Sequence, residues 1–164
     1  MLVCATQTVT RNLHLEPNDI STRPSPHVQQ WYANLIRVAR VKYYLLTDSV
    51  TLISVVFPAK GVINVRRFAA TTSDVIHDYF VRRAWGRLIT TRFDVDPTDV
   101  VISRTHDRRV LGSMNDFAWQ TELLMREHEL PLEEVIDQLN RCPMSYLGMD
   151  SPELVVERLL GELQ

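Results

Sequence analysis

The sequence is poor in the residues that crosslink small proteins or hold metals. Its two cysteines, Cys4 and Cys142, lie far apart, and its five histidines lack the spacing of a metal site. Two isolated cysteines cannot form a disulfide framework or a complete zinc site, and they are typical of a protein in a reducing compartment. We therefore expect a cytoplasmic protein that holds no metal.

Glycine and long apolar runs are also scarce. The five glycines form neither a phosphate-binding G-x-x-x-x-G-K-[ST] loop nor a dinucleotide fingerprint. Ser113 follows Gly112, but the second glycine of a G-x-S-x-G nucleophile elbow is missing. No run approaches the roughly 20 apolar residues that cross a bilayer. We expect no cofactor and no contact with a membrane.

What remains is an ordinary globular composition with unevenly distributed charge. The 164 residues are 45% hydrophobic and 23% charged, which fits a single domain over 1–164. Residues 1–111 carry 15 basic and 9 acidic side chains, whereas residues 112–164 carry 3 and 11. This asymmetry indicates either a basic face for an anionic partner or two halves that neutralise each other.

The first part of the chain predicts a small sheet. Residues 2–4 predict a short strand, residues 8–15 a brief helix, and the proline-rich residues 16–30 a loop. Three β-branched and aromatic runs then predict an antiparallel meander within 31–59: residues 31–38, 41–47 and 50–57. The third run is the least polar and is predicted to be the central strand. A further strand is predicted at 100–103.

The rest of the chain predicts helices. Apolar residues recur at helical spacing over 61–88, which fits one helix or two helices that separate near Ser73. Ser113, Pro131 and Ser151 mark the starts of three more helices. The expected fold class is α+β, with a small, mostly antiparallel sheet of about four or five strands. Helices should pack on one face of it, and the C-terminal part should be all helical.

Polar chemistry concentrates at one predicted strand–helix junction, residues 104–116. Three arginines precede the predicted helix start: Arg104, Arg108 and Arg109. Free N–H groups and the helix dipole favour an anion there, and arginine binds phosphate through paired hydrogen bonds. The alternative interpretation is a well-capped helix, with Ser113 and Asp116 forming a capping box and the arginines solvated.

A histidine in the same junction allows a catalytic interpretation. His106 adjoins Asp107 and lies near Asp116, so a carboxylate could orient it as a general acid or base. With an arginine that stabilises developing charge, this set would suit a small hydrolase or nuclease. Nucleic acid is a possible partner, but the net charge of −2 does not favour it.

Three motifs resemble those of a bacterial family known only as a domain of unknown function. They are W-Y-A-N at 31–34, T-L-I-S-V-V-F-P-A-K at 51–60 and V-L-G-S-M-N-D at 110–116. The resemblance implies no activity. It covers most of the chain up to Phe117 and marks Trp31, Asn34 and Lys60 as positions that match the family motifs. Arg108 and Arg109 depart from the family pattern, which has Asn-Arg-Ser there.

Together these observations favour a non-catalytic module that binds an anionic, phosphate-bearing ligand or a protein partner at the 104–116 junction. The predicted contact residues are Arg104, Arg108, Arg109, Asn115, Lys60 and Asn34. The alternative is a small hydrolase or nuclease in which His106 acts with Asp107 or Asp116 and an arginine.

Overall fold

The structure is a computed structural model that describes residues 1–22 and 29–163. Its strands are β1 (Leu2–Ala5), β2 (Trp31–Val38), β3 (Val41–Asp48), β4 (Ser54–Pro58) and β5 (Val101–Arg104). Its α-helices are α1 (Gln7–Asn12), α2 (Val65–Arg82), α3 (Gly86–Thr91), α4 (Arg108–Arg126), α5 (Leu132–Arg141) and α6 (Pro152–Gly161). Among the helices of the described ranges, none combines the length and the apolar character needed to cross a membrane. Residues 23–28 of the predicted loop lie outside the described residues.

The five described strands form one mixed sheet in the order β4-β3-β2-β1-β5. β2, β3 and β4 are the predicted antiparallel meander, and β1 is parallel to both of its neighbours, β2 and β5. The α+β fold is therefore confirmed, as is the helical C-terminal part. The parallel pairs arise because the segments that connect β1 to β2 and β4 to β5 are long enough to return the chain to the same end of the sheet.

The prediction that the least polar run is the central strand is wrong. β4 lies at an edge of the sheet, and β2 occupies the middle. The apolar side chains of β4 are buried because α5 and α2 pack against this edge. Asn140 of α5 also satisfies the outward backbone of Ser54, accepting from its amide at 2.7 Å and donating to its carbonyl at 2.8 Å.

The segment before β4 is a turn rather than the start of a strand. The Asp48 carboxylate accepts hydrogen bonds from the Thr51 amide at 2.8 Å and from the Thr51 hydroxyl at 2.7 Å. Leu52 adopts a φ of 57°, in the left-handed region that extended strands do not use. The extended conformation therefore begins only at Ser54.

Helices pack on both faces of the sheet, whereas the sequence pattern predicted them on one face only. Side chains alternate along β2, and Trp31 and Tyr32 point to opposite faces. The Trp31 ring lies 6.0 Å from that of Phe93, near the end of α3. The Tyr32 hydroxyl accepts from the Asp107 amide at 3.1 Å, at the start of α4. Both side chains are fully buried.

The helical segment over 61–88 is two helices. α2 ends at Arg82 and α3 begins at Gly86, and between them Ala84 adopts a φ of 61°. Ser73, where a break was predicted, lies inside α2. The interruption therefore depends on a left-handed conformation at an alanine. Glycine is the usual residue at such a position, so the sequence contains no signal of the break.

Candidate anion-binding site

Helix α4 begins more than one turn earlier than predicted. It starts at Arg108, and the carboxylate of Asp107 accepts from the Arg109 amide at 2.8 Å as the N-terminal cap. Ser113 is buried inside the helix, where its hydroxyl donates to the Arg109 carbonyl at 3.2 Å. The predicted capping box of Ser113 and Asp116 is therefore wrong.

The earlier helix start separates the three arginines of the junction. Arg104 ends β5, and its side chain lines a cavity beside α1. Arg109 lies 3.8 Å from the carboxylate of Asp107 and over the ring of Tyr146, at 5.3 Å from its centroid. Arg108 is exposed and forms no ion pair with a described carboxylate.

Of the other predicted contact residues, Asn34 lies beside the segment that follows β1. Its side-chain oxygen accepts from the Thr6 hydroxyl at 3.1 Å and from the Leu35 amide at 2.9 Å, so it holds the turn between β1 and α1. Asn115 and Lys60 are exposed, and Lys60 follows β4 at the far edge of the sheet. The structure does not gather the predicted contact residues into one site.

The position of Arg104 is set by the parallel pairing of β1 with β5. Ala5 and Arg104 are register partners at the carboxyl ends of these two strands. The chain then leaves β1 for α1 and β5 for α4. Asn12 of α1 donates to the hydroxyl of Tyr44 at 2.6 Å, and Tyr44 is the cross-strand partner of Leu35, on the Trp31 face.

α1 and the start of α4 consequently lie on opposite faces of the sheet. When the connections after two adjacent parallel strands diverge in this way, a crevice opens at the carboxyl ends of the strands. In open α/β sheets this crevice is a common place for ligands.

A cavity of about 460 Å³ fills this crevice, and we name it the strand-end cavity. It is lined by two cations, Arg11 and Arg104, by the polar residues Gln7, Thr10 and Thr105, and by the apolar residues Ala5, Leu15, Pro17 and Ile20. No aspartate or glutamate lines the described wall of this cavity. Neither arginine forms an ion pair with a carboxylate in the described ranges.

The strand-end cavity contains residues that the sequence did not single out. Arg11, Gln7 and Thr105 reach it only because β1 pairs with a strand from a distant part of the sequence. The sequence contains one signal of this basic cavity, which is that basic side chains outnumber acidic ones within residues 1–111. That signal did not identify individual residues.

The predicted acid–base pair is not brought together in the cavity that contains Asp116. That cavity, of about 500 Å³, is lined by Arg109, Gly112, Ser113, Asp116, Ser145 and Tyr146. His106 is not among these residues. It is exposed, and its ring nitrogens lie 3.3 and 3.4 Å from the hydroxyl of Tyr32. Asp107, the other predicted partner, is engaged in capping α4.

Two buried groups behind His106 are neutral at physiological pH. Burial raises the pKa of the Cys4 thiol to about 12, and its sulfur lies 3.4 Å from the side-chain oxygen of Gln30. Burial also raises the pKa of Tyr32, and the bond from the Asp107 amide partly opposes this effect. A protonated thiol is a poor nucleophile. Among the described residues, no group of three or more His, Cys, Asp or Glu side chains is arranged to hold a metal ion.

The model of one protein family matches residues 2–154 of the chain, and this family is described as Domain of unknown function (DUF6933). No curated protein and no solved structure matches the chain.

Proposed function

The chain belongs to the family described as Domain of unknown function (DUF6933), and we propose that it is a non-catalytic binding module for an anionic, phosphate-bearing ligand. The proposed site is the strand-end cavity, in which Arg11 and Arg104 bind the anion. One observation carries the proposal: two arginines without a described carboxylate partner line one cavity at the carboxyl ends of β1 and β5.

Some arginines outside the cavity are paired with carboxylates and others, such as Arg108, are exposed without a described ion pair, so Arg11 and Arg104 are set apart by lining one cavity together. Arg83 and Arg141 both bind the carboxylate of Glu153, and Arg158 binds that of Asp150 at 2.5 Å. In the strand-end cavity neither guanidinium group is paired with a described carboxylate, and the repulsion between the two cations falls when an anion binds there. A planar guanidinium matches the oxygen spacing of phosphate and forms two parallel hydrogen bonds with it.

Inorganic phosphate is the simplest probe of this site. We expect wild-type protein to bind it in an NMR titration at low ionic strength, and Arg104→Ala to weaken binding about tenfold, because a charge-assisted hydrogen bond contributes roughly 1.5 kcal/mol. Arg108→Ala is the matched control, since Arg108 is exposed and does not line the cavity. Its dissociation constant should stay within about twofold of the wild-type value.

Two results of this titration would contradict the proposal. One is the absence of phosphate binding to the folded wild-type protein. The other is an equal loss of affinity in Arg104→Ala and Arg108→Ala, because this would show attraction to the overall charge rather than to the cavity. Circular dichroism of both variants establishes that they are folded.

The hydrolase interpretation makes a different prediction. If His106 and Asp116 were catalytic, wild-type protein would cleave RNA, DNA or a nucleotide, and His106→Ala and Asp116→Ala would each abolish the turnover. The binding proposal expects no turnover on these substrates. It also expects phosphate affinity to be unchanged in both variants, because neither residue lines the strand-end cavity.

A further inference from the structure

A second basic cavity lies against α1 and shares a wall residue with the first. It has a volume of about 490 Å³, and we name it the side cavity. Its cationic residues are Arg11, Arg37 and Lys42, and Thr8, Asn12 and His14 also line it. Arg11 thus belongs to both cavities.

The geometry of α1 explains why Arg11 is shared. Successive residues of an α-helix are separated by about 100° around its axis. Gln7 and Thr10 therefore face the strand-end cavity, whereas Thr8 and Asn12 face the side cavity. Arg11 lies between these two sets, on the exposed side of the helix. A ligand that crosses α1 at Arg11 can contact both cavities without a break.

All the charged side chains that line the two cavities are positive. Four cations line them, Arg104, Arg11, Arg37 and Lys42, and no aspartate or glutamate lines the described wall of either. None of the four forms an ion pair with a carboxylate in the described part of the chain. The basic surface therefore extends beyond what one phosphate group can neutralise.

The fold places two of these cations, Arg37 and Lys42, close together, which destabilises the sheet. Arg37 and Lys42 are directly opposite each other on the antiparallel strands β2 and β3. Like charges in this position destabilise a sheet. The Lys42 ammonium donates to the side-chain oxygen of Asn12 in α1 at 3.2 Å, which directs it toward the side cavity. A phosphate group of a longer anion that is already bound in the strand-end cavity would relieve this repulsion.

We infer that the ligand carries a linear chain of three or more phosphate groups, which runs from Arg104 over Arg11 to Arg37 and Lys42. This inference rests on the proposed function, because the strand-end cavity binds the first phosphate. No Phe, Tyr or Trp side chain lines the described wall of either cavity. Binding sites for single-stranded nucleic acid rely on such rings for base stacking, so a polyphosphate chain is favoured over an oligonucleotide.

Two sources could supply such a chain: inorganic polyphosphate or the tail of an organic triphosphate. The strand-end cavity has an apolar wall formed by Leu15, Pro17 and Ile20, beside Arg104. An organic ligand would place its non-phosphate part against this wall, whereas inorganic polyphosphate has no group to place there. The two sources share the same phosphate contacts and differ only at this wall.

Titrations with phosphate and tripolyphosphate at one fixed ionic strength test the inference. We expect wild-type protein to bind tripolyphosphate at least about tenfold more tightly than phosphate, because each further phosphate adds charge-assisted hydrogen bonds. The double variant Arg37→Ala/Lys42→Ala should lose about tenfold in affinity for tripolyphosphate and keep its affinity for phosphate. The control Arg87→Ala/Arg108→Ala removes two exposed arginines that line neither cavity, and it should keep both affinities.

The outcomes separate this inference from the proposed function. If phosphate binds in an Arg104-dependent manner but tripolyphosphate binds no more tightly, the inference is overturned and the proposed function stands. If phosphate does not bind, both fail. Equal losses in the two double variants would also overturn the inference, as would tighter binding of a single-stranded oligonucleotide than of tripolyphosphate at the same phosphate concentration.

A further pair of titrations identifies the source of the phosphate chain. An organic triphosphate is supported if ATP binds more tightly than tripolyphosphate and if Ile20→Ala reduces this difference in affinity. Equal affinities that Ile20→Ala leaves unchanged support inorganic polyphosphate. Either result upholds the phosphate-chain inference only together with weaker binding of both ligands to Arg37→Ala/Lys42→Ala, because Ile20 lines the strand-end cavity and these two cations line the side cavity. Unchanged binding of both ligands to this double variant would overturn the inference.

Discussion

Ala5 and Arg104 lie opposite each other at the carboxyl ends of β1 and β5, two adjacent parallel strands. Because α1 and α4 leave these strands toward opposite faces, Arg104 lines the strand-end cavity together with Arg11 and not with Arg108 or Arg109 of its own segment. The proposed site is therefore a product of strand pairing. It does not depend on the helix start that the sequence indicated.

Asp107 rather than Ser113 should determine the stability of the α4 start. Asp107→Ala removes the carboxylate that accepts from the Arg109 amide, and we expect the free energy of unfolding to fall by about 1 kcal/mol. Ser113→Ala removes a hydroxyl that donates a second hydrogen bond to the Arg109 carbonyl within the same helix. We expect the free energy of unfolding to fall by less than about 0.5 kcal/mol. Urea denaturation measures both, and a larger loss for Ser113→Ala would show that the helix begins later.

Asn140 should be one of the most sensitive polar residues of the core. It is fully buried and binds both backbone groups of Ser54, and it also donates to the hydroxyl of Tyr79 at 3.0 Å. Asn140→Ala leaves these groups without partners, so we expect the free energy of unfolding to fall by about 3 kcal/mol. Gln138→Ala, an exposed change in the same helix, is the control. Equal denaturation midpoints would refute this role.

Asn34 and Asn115 both occur in the family-like motifs, but they should affect phosphate binding differently. Asn34 fixes the turn that leads into α1, and α1 carries Arg11. We expect Asn34→Ala to weaken phosphate binding about threefold to tenfold, through looser placement of Arg11. Asn115→Ala changes an exposed side chain of α4 and should leave the affinity unchanged. NMR titration compares the two, and a greater effect of Asn115→Ala would move the site toward α4.

Cys4 should make the stability of the fold depend on alkaline pH. Burial raises its pKa from 9.0 to about 12 in the folded protein. Below about pH 9 the thiol is neutral in both states and has no effect. As pH rises from about 9 toward about 12, the thiol ionises only in the unfolded state, so the free energy of unfolding falls.

Comparison of two alanine variants isolates this contribution. Cys4→Ala should show a smaller fall in the free energy of unfolding between pH 8 and pH 10 than wild-type protein, measured by urea denaturation. Cys142 is only partly buried, and Cys142→Ala should retain the wild-type pH dependence. The same slope in both variants would argue against the raised pKa of Cys4. The buried tyrosines Tyr32, Tyr44 and Tyr79 account for a fall that remains in both, because burial raises their pKa values too.

Local sequence patterns predicted the elements of the fold better than their arrangement. β-Branched and aromatic runs identified β2 and β3, and the proline and serine signals identified α5 and α6. The start of α4 was predicted at Ser113, but the observed cap is Asp107, and both residue types are good helix caps. The contact of the Asp107 amide with the Tyr32 hydroxyl, on a different strand, distinguishes them, and no local pattern contains that contact.

The same limit applies to the candidate site. Arg104 was identified because it follows a predicted strand within a basic segment, and the structure places it in the strand-end cavity. Arg11 was missed because its relevance depends on the pairing of β1 with β5, which are far apart in the sequence. Lys60 and Asn115 match family motifs, but the fold places them away from this cavity.

The location of phosphate binding tests the central claim most directly. In an NMR titration of wild-type protein with inorganic phosphate, the largest amide shifts should occur at Gln7, Thr10, Arg11, Arg104 and Thr105, around the strand-end cavity. Saturable shifts confined to these residues are the predicted result. Shifts centred on Arg109, Asp116 and Tyr146, with the ends of β1 and β5 unchanged, would contradict the claim and assign the anion to the cavity that these three residues line.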